Sequence, residues 1–363
     1  MKINAYAIDD FSADLRSDMT VDDMRNNPEL LKRVYQFTSL LYNQADKKLY
    51  CGVTNFDSDI FHTFDPVKKK FRSLGYQKRF KPATQFDIKI HRSLELDKAT
   101  KSIISISSGL HDPSEYLDAP GSHLFRYCWE TDTYEDLGRP IDHEYTQTIT
   151  FDPSRQMVYG FTLTYFSFYA FDLRTRRTIF HTRPQSITHV SAVDDSGCIW
   201  STWHHIKHWL FKYNPATNAC TYFKYGFPEK PTSLMYAGAG PIDRMINIGD
   251  GFLYIALETG SLYKLDPGTA QVEFLGRGAP ITRLPGLIKG IDKDTLLCVT
   301  GDLNVTYLME YHLKKRSFTT LCEVKNKKSQ CFRPHDIAVV GSTIYIAETD
   351  NPKGGCRLWE VEM

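Results

Sequence analysis

Histidine and arginine recur directly ahead of apolar, β-patterned runs in this chain. His91-Arg92, His143-Glu144-Tyr145, His189, Asp243-Arg244 and Arg333-Pro334-His335-Asp336 all occupy such lead-ins. A second set falls in the loops between later runs. It comprises Asn55 to Asp59, His111, Tyr165, Trp203-His204-His205 with His208, Glu258, Asp302 and Asn304, and Glu348-Thr349-Asp350-Asn351. Imidazole titrates near neutrality and suits proton transfer. Guanidinium offers a planar fork that matches a carboxylate. Each residue also has a plain structural reading. A histidine at a strand start is commonly a hydrogen-bonded structural group, and Arg92, Arg244 and Arg333 could be salt-bridged core arginines. Tyr145 and Tyr165 are most simply strand aromatics among 21 tyrosines. His204, His205 and His208 resemble a metal cluster, but a hairpin turn is expected there rather than a helix, so helical ligand spacing does not apply.

The elements that must position these residues are short strands. Residues 143–175 read as one unit: Thr148 to Phe151 alternates, Asp152-Pro153-Ser154-Arg155 turns, and Met157 to Leu163 and Phe168 to Leu173 follow, with Thr178 to His181 as a fourth strand. Proline favours such a turn through its fixed φ. Four antiparallel strands in about 40 residues make one propeller blade. The third strand and the turn after it echo at Phe64, Tyr127, Phe171, Tyr213, Leu265, Tyr311 and Leu358. Those echoes lie roughly 42 to 63 residues apart, near the spacing of blade repeats. The expected fold is all-β, a seven-bladed β-propeller in one domain over residues 1–363. Residues 1–10 hold a closing strand (Ile3 to Ile8) that completes the last blade and removes exposed sheet edges. Residues 20–36 form a short helical segment capped by Thr20, and the blades fill 37–363. They span about 37–75, 88–138, 146–182, 188–225, 243–276, 287–324 and 335–363. In a propeller the first strand of each blade lines a central channel, and the loops named above open on the same face. Most of the histidines are thereby expected at one mouth of that channel. The insertion Ser108 to Ser122, with His111, Asp112, Glu115 and Tyr116, is long enough to be functional.

Composition sets bounds. With a net charge of +1 and pI near 7.6, nothing points to nucleic acid or an anionic membrane. The runs Lys68-Lys69-Lys70 and Lys325 to Lys328 fall in turns and read as solvated loops. No apolar run approaches a membrane span. Eight cysteines are scattered without a CxxC pair, which fits a reducing setting rather than a disulfide framework. The opening residues MKINAYAIDD lack a basic start followed by an apolar core. A cytoplasmic location is therefore expected, with secretion the alternative if a leader precedes the sequence. There is no phosphate-binding glycine loop, no GxSxG elbow, no HExxH, and neither the WD dipeptide nor the paired glycines of kelch repeats.

Four stretches carry a family resemblance. Ile90 to Leu94, residues 121–141, Val158 to Thr162 and residues 333–363 resemble the seven-bladed propeller carbohydrate-active enzymes, among them ulvan lyases and the lyases and rhamnosidases acting on rhamnosyl-glucuronate linkages. The resemblance implies uronic-acid chemistry. A β-eliminating lyase neutralises the uronate carboxylate, removes the C5 proton and protonates the leaving oxygen. It implies His91 as a catalytic histidine, His143 or His189 as a second, Tyr165 as the acid and Arg244 as a clamp. Arg92, His204, Trp203, Arg333, His335 and Glu348 would complete substrate binding. Arg92 departs from the small or polar residue expected after His91, which bears on substrate fit.

Three readings follow. The first is an enzyme on an oligosaccharide or other small molecule, a lyase next to a uronate, with a rhamnosidase-like hydrolase in the same pocket as its variant. Paired carboxylates for hydrolysis are not evident. The second is a non-catalytic propeller binding a ligand or protein, since fold alone does not fix function. The third is a lactonase-type metal propeller using Asp243, Asp336 and Glu348. No cofactor or metal ligand set is assigned, and a divalent metal stays open.

Overall fold

A computed structural model of the chain describes residues 1–8, 27, 29, 35–80, 86–109, 113–115, 117–229, 241–279, 282–301, 305–351 and 355–363. Most of the helical segment expected over 20–36 lies outside these residues, as do His111, Asp112, Tyr116, Asp302 and Asn304. The described residues form seven four-stranded antiparallel sheets, and the fold is a seven-bladed β-propeller. Blade three shows the pattern: Thr146–Asp152, Met157–Thr162, Phe168–Asp172 and Arg177–Thr182 each pair with the next. Its second and third strands are buried along their whole length, while the fourth alternates between half-buried and exposed. Inner strands covered on both faces therefore read as continuous apolar and aromatic runs, and only the outer strand shows a period of two.

The turns explain why the repeat is visible in sequence. Asp65, Asp97, Asp152, Asp172 and Asp266 each accept the backbone N–H two residues on, at 2.8–3.1 Å. Asn43 and Asn214 do the same. Two residues after each of those amides the backbone turns left-handed, at Lys69, Lys101, Gln156, Arg176, Ala270, Lys47 and Asn218, with φ between 52° and 60°. The side chain thus supplies the turn's first bond, and that need fixes an Asx residue at the strand end.

Two compact units divide the chain. One comprises Met1–His143, Leu303–Thr306 and Glu323–Met363 and carries blades one, two and seven. Phe61 at its centre packs edge-on against Phe125 and Tyr127 of blade two, and Phe64 against Tyr345 of blade seven. The other comprises Glu144–Asp302 and Tyr307–Cys322. Its blades three and four share Phe161, Phe168, Phe211 and Tyr213. Its blades four and five share Trp200, Ile255 and Tyr263. The eight cysteines are unpaired thiols, and Cys51, Cys198 and Cys298 are small core residues. Among the described residues no helix is long and apolar enough to cross a membrane.

Blade seven takes its outer strand from Lys2–Tyr6, paired with Leu358–Glu362 from Lys2↔Glu362 to Tyr6↔Leu358. The strand starts one residue earlier and ends two residues earlier than the alternation of 3–8 suggests. Glu360, fully buried, secures it by accepting from Asn4 Nδ2 (2.8 Å), Tyr6 OH (2.9 Å), Tyr345 OH (2.6 Å) and Lys69 Nζ. Burial alone would raise this carboxyl, but those donors outweigh it and hold it below the ordinary range. A depressed value contributes stability above the unfolded carboxylate range that is lost on acidification. Glu360→Gln is expected to cost about 2 kcal/mol at pH 7, with the deficit shrinking toward pH 4. Urea denaturation at the two pH values checks this, and an equal midpoint at pH 7 would contradict it.

Candidate functional site

In the first unit the lead-in to blade two runs extended between blades one and two. Ile88 O accepts from Asn55 N (2.9 Å), Ile90 N donates to Val53 O (3.1 Å), and Thr38 Oγ1 donates to Ile90 O (2.6 Å). The blade's ladder accordingly begins at Leu94, later than the sequence suggests, because residues 88–93 are spent on these bridges. They deliver His91 to blade seven. His91 Nε2 lies 3.1 Å from His335 Nε2, the rings meet edge-on, and Arg92 Nη2 donates to His335 O at 3.3 Å. All three residues are buried. Two ring nitrogens at this distance share one hydrogen, so each occupies the position the other would offer a substrate.

Arg333, Asp336 and Glu348 of this unit are committed as well. Arg333 Nη1 is paired with Asp350 at 2.7 Å. Asp336 accepts from the Leu40 and Ile337 amides, both at 2.9 Å. Glu348, fully buried, accepts from Phe332 N (2.6 Å), Arg357 N (2.8 Å), Asn351 Nδ2 (2.9 Å) and Trp359 Nε1 (3.2 Å). Burial still pushes its carboxyl up to about 7. Lys89 is buried near Asp350, and burial brings its amine down to about 8. His143 is exposed, has φ of 62°, and contacts Ala119 O through Nδ1 at 2.9 Å.

In the second unit His189 is buried, and Arg244 lies half-buried on the strand Ile242–Asn247 opposite Ala256. The buried carboxylate beside Arg244, Asp243, is held in a two-point fork by Arg283 at 2.6 and 2.9 Å. The acidic residues that a metal reading would need, Asp243, Asp336 and Glu348, are thus each held by protein donors. Among the described residues no group of three or more His, Cys, Asp or Glu side chains is placed to hold a metal.

Blade four presents an open site. A groove of about 530 Å³ is lined by Arg183, Pro184, Gln185, Trp203, His204, His205 and Tyr222. The hairpin after Ile199–Trp203 builds one wall. His204 turns left-handed (φ 70°), its amide donates to Pro184 O (2.7 Å), and its Nδ1 accepts from the Ile206 and Lys207 amides at 3.3 Å. That leaves its ring stacked on His205, with centroids 5.4 Å apart. Trp203 donates Nε1–H to Phe223 O (2.7 Å) and rests edge-on against Tyr222 at 5.2 Å. The indole is therefore fixed with its polar edge already satisfied. Arg183 lies 5.6 Å over the exposed Tyr165 ring. His208 does not join the groove histidines as a ligand; it is buried, 3.5 Å from Ser186 Oγ, and burial beside His204 and His205 lowers it to about 4. The groove has one cation, two imidazoles and no carboxylate.

Of the residues singled out in the sequence, the structure brings together His91, Arg92 and His335 in one unit and Trp203 with His204 in the other, the latter beside Arg183 and Tyr165. Sequence reasoning missed Arg183, Gln185, Tyr222 and Arg283. Tyr222 carried one usable signal, an aromatic among exposed polar residues of an outer strand.

No protein-family model matches the sequence, and no curated protein matches it. The fold does match solved structures. The extracellular domain of a protein described as a hybrid two-component system of B. thetaiotaomicron aligns with a TM-score of 0.59 at 12% identity, over 90% of this chain and 40% of that one. The extracellular domain of a protein described as a one-component system from the same organism aligns at 0.59 and 13%, over 94% and 42%. The chain spans about two-fifths of the length of these structures. At such identity the likeness shows the fold alone.

The Asp243–Arg283 pair yields a stability test. Arg283→Ala strands a buried carboxylate and is expected to cost about 3–5 kcal/mol. Adding Asp243→Leu should recover most of that loss in urea denaturation. A single-variant loss near zero would show that the pair is not what holds these strands.

Proposed function

We propose that this chain is a ligand-recognition propeller without turnover of its own, and that its ligand is an acidic saccharide held in the blade-four groove. The observation that carries the reading is the groove's chemistry. A fixed indole and a phenol offer flat apolar faces to a sugar ring, Arg183 offers a fork to a carboxylate, and no acidic side chain opposes it. The fold neighbours support the same direction, since both are described as extracellular domains of signalling proteins. The commitment of His91 to His335 counts against proton transfer by His91.

A second reading, β-elimination next to a uronate, has one observation in its favour. Arg183 lies over Tyr165 while lining the groove with His204 and His205, so the residue types for charge neutralisation and proton transfer occur side by side.

Calorimetric titration with glucuronate-containing oligosaccharides, run beside an ultraviolet assay for the unsaturated uronate, separates the two. Binding without absorbance is expected. Trp203→Ala and Arg183→Ala should each weaken it about tenfold, near 1.4 kcal/mol, and His91→Ala should leave Kd within about twofold. Rising absorbance would favour the lyase, and absence of heat across the panel would remove the acidic-saccharide assignment.

A further inference from the structure

The blade-four hairpin turns on a residue type that a turn alone does not need. His204 follows the second strand of its blade, and its Nδ1 lies 3.3 Å from both the Ile206 and Lys207 amide nitrogens. Asn55 follows the second strand of blade one and plays the same part, its Oδ1 accepting from Asp57 N (2.9 Å) and Ser58 N (2.6 Å). Histidine Nδ1 and asparagine Oδ1 stand the same number of bonds from Cα, so either can accept the amides two and three residues on. An Asx side chain is the ordinary choice for such a turn. Asparagine also tolerates the left-handed backbone that His204 adopts at φ 70°. What histidine adds is a second ring nitrogen.

The first nitrogen decides the state of the second. A neutral imidazole carries one ring hydrogen, and the nitrogen that accepts cannot hold it. Two N–H groups aimed at Nδ1 therefore put the hydrogen of neutral His204 on Nε2. That atom meets no protein group and stays open to solvent, on a ring that lines the groove. The ring is also confined: Trp203, His205 and Trp209 pack around it with centroids 5.4 to 5.7 Å away. Two other polar edges of the groove are already taken. Trp203 Nε1 donates to Phe223 O, and the Tyr222 hydroxyl meets Thr182 Oγ1 at 3.1 Å. Arg183 is exposed and sits over the Tyr165 ring, with its fork left for a ligand.

We propose that His204 is a specificity residue of the groove, donating Nε2–H to an oxygen of the bound sugar while Arg183 takes its carboxylate. This rests on the acidic-saccharide reading above and narrows it. A locked donor together with a guanidinium rewards a ligand that carries acceptor oxygens around its acid group, as a uronate does with its ring and hydroxyl oxygens. It penalises an amino sugar, whose ammonium would meet donors and no carboxylate to receive it. One ring thereby serves two ends: Nδ1 holds the turn and Nε2 reads the ligand.

Two measurements on the full chain test this. Long-range proton–nitrogen correlation spectra at about pH 8, above the ordinary imidazole range, read which ring nitrogen bears the hydrogen. The His204 signals are those lost in His204→Asn, or in His204→Gln where the first variant does not fold. Hydrogen on Nε2 is expected, with the Nε2 signal moving as a glucuronate-containing tetrasaccharide is added. His204→Asn keeps the turn acceptor and deletes the Nε2 donor. Calorimetric titration with the same tetrasaccharide should show its Kd weakened about tenfold, with the urea midpoint unchanged. Hydrogen on Nδ1 would overturn the proposal, as would an Nε2 signal unmoved at saturating tetrasaccharide. A wild-type Kd in His204→Asn would overturn it too, and weakening by Trp203→Ala in the same series would then leave the groove reading standing. If the wild type takes up no tetrasaccharide, the groove reading fails and the donor role falls with it, whichever nitrogen holds the hydrogen.

Discussion

One buried carboxylate ties the two ends of this sequence together. A four-stranded blade missing its outer strand leaves a row of unpaired backbone donors and acceptors, and such an edge invites foreign pairing. Residues 2–6 cover that edge on blade seven, and Glu360 gathers donors from that strand (Asn4, Tyr6), from blade seven itself (Tyr345) and from the third-to-fourth turn of blade one (Lys69). The contact between blades one and seven then positions the segments that approach them. The bridges from residues 88–90 to blade one, and the arrival of His91 at His335, are downstream of it.

That rigidity bears on where a ligand can be met. Several of the polar residues near strand ends are placed where chain segments converge, and convergence buries them. At four of these positions protein partners take the side chain: His335 takes His91, Arg283 takes Asp243, Asp350 takes Arg333, and four donors take Glu348. The blade-four groove escapes this because it is built from a hairpin and an outer strand in which His204 is half-buried and His205 and Tyr222 are exposed. Trp203 and His204 are fixed by bonds to backbone, at Nε1 and Nδ1, while the Tyr222 hydroxyl meets Thr182 Oγ1 at 3.1 Å.

Much of the fold was legible because turn chemistry is local. An Asx side chain bonding two residues on, followed by a left-handed residue, recurs in blades one to five and leaves a pattern such as Phe64-Asp65-Pro66 or Leu265-Asp266-Pro267. Strand starts were less legible. Residues 88–93 and 188–191 have strand composition, but the first bridges two blades and the blade-four ladder is only Ala192–Val193. The site was legible only in part, for a reason of sequence distance. Trp203 and His204 are neighbours and could be paired on inspection. His335 lies 244 residues from His91, and Arg283 lies 40 from Asp243, so nothing local announces either partnership. Arg183 and Tyr222 reach the groove from a connecting segment and an outer strand, where composition alone marks them as surface.

The most direct measurement is hydrogen–deuterium exchange of the full chain with and without a saturating glucuronate oligosaccharide. Slowed exchange confined to residues 183–185 and 203–207 is the predicted result, because those amides frame the groove and its hairpin. Slowed exchange at 89–93 and 333–336 with no change in blade four would contradict it, placing the ligand at the histidine pair instead.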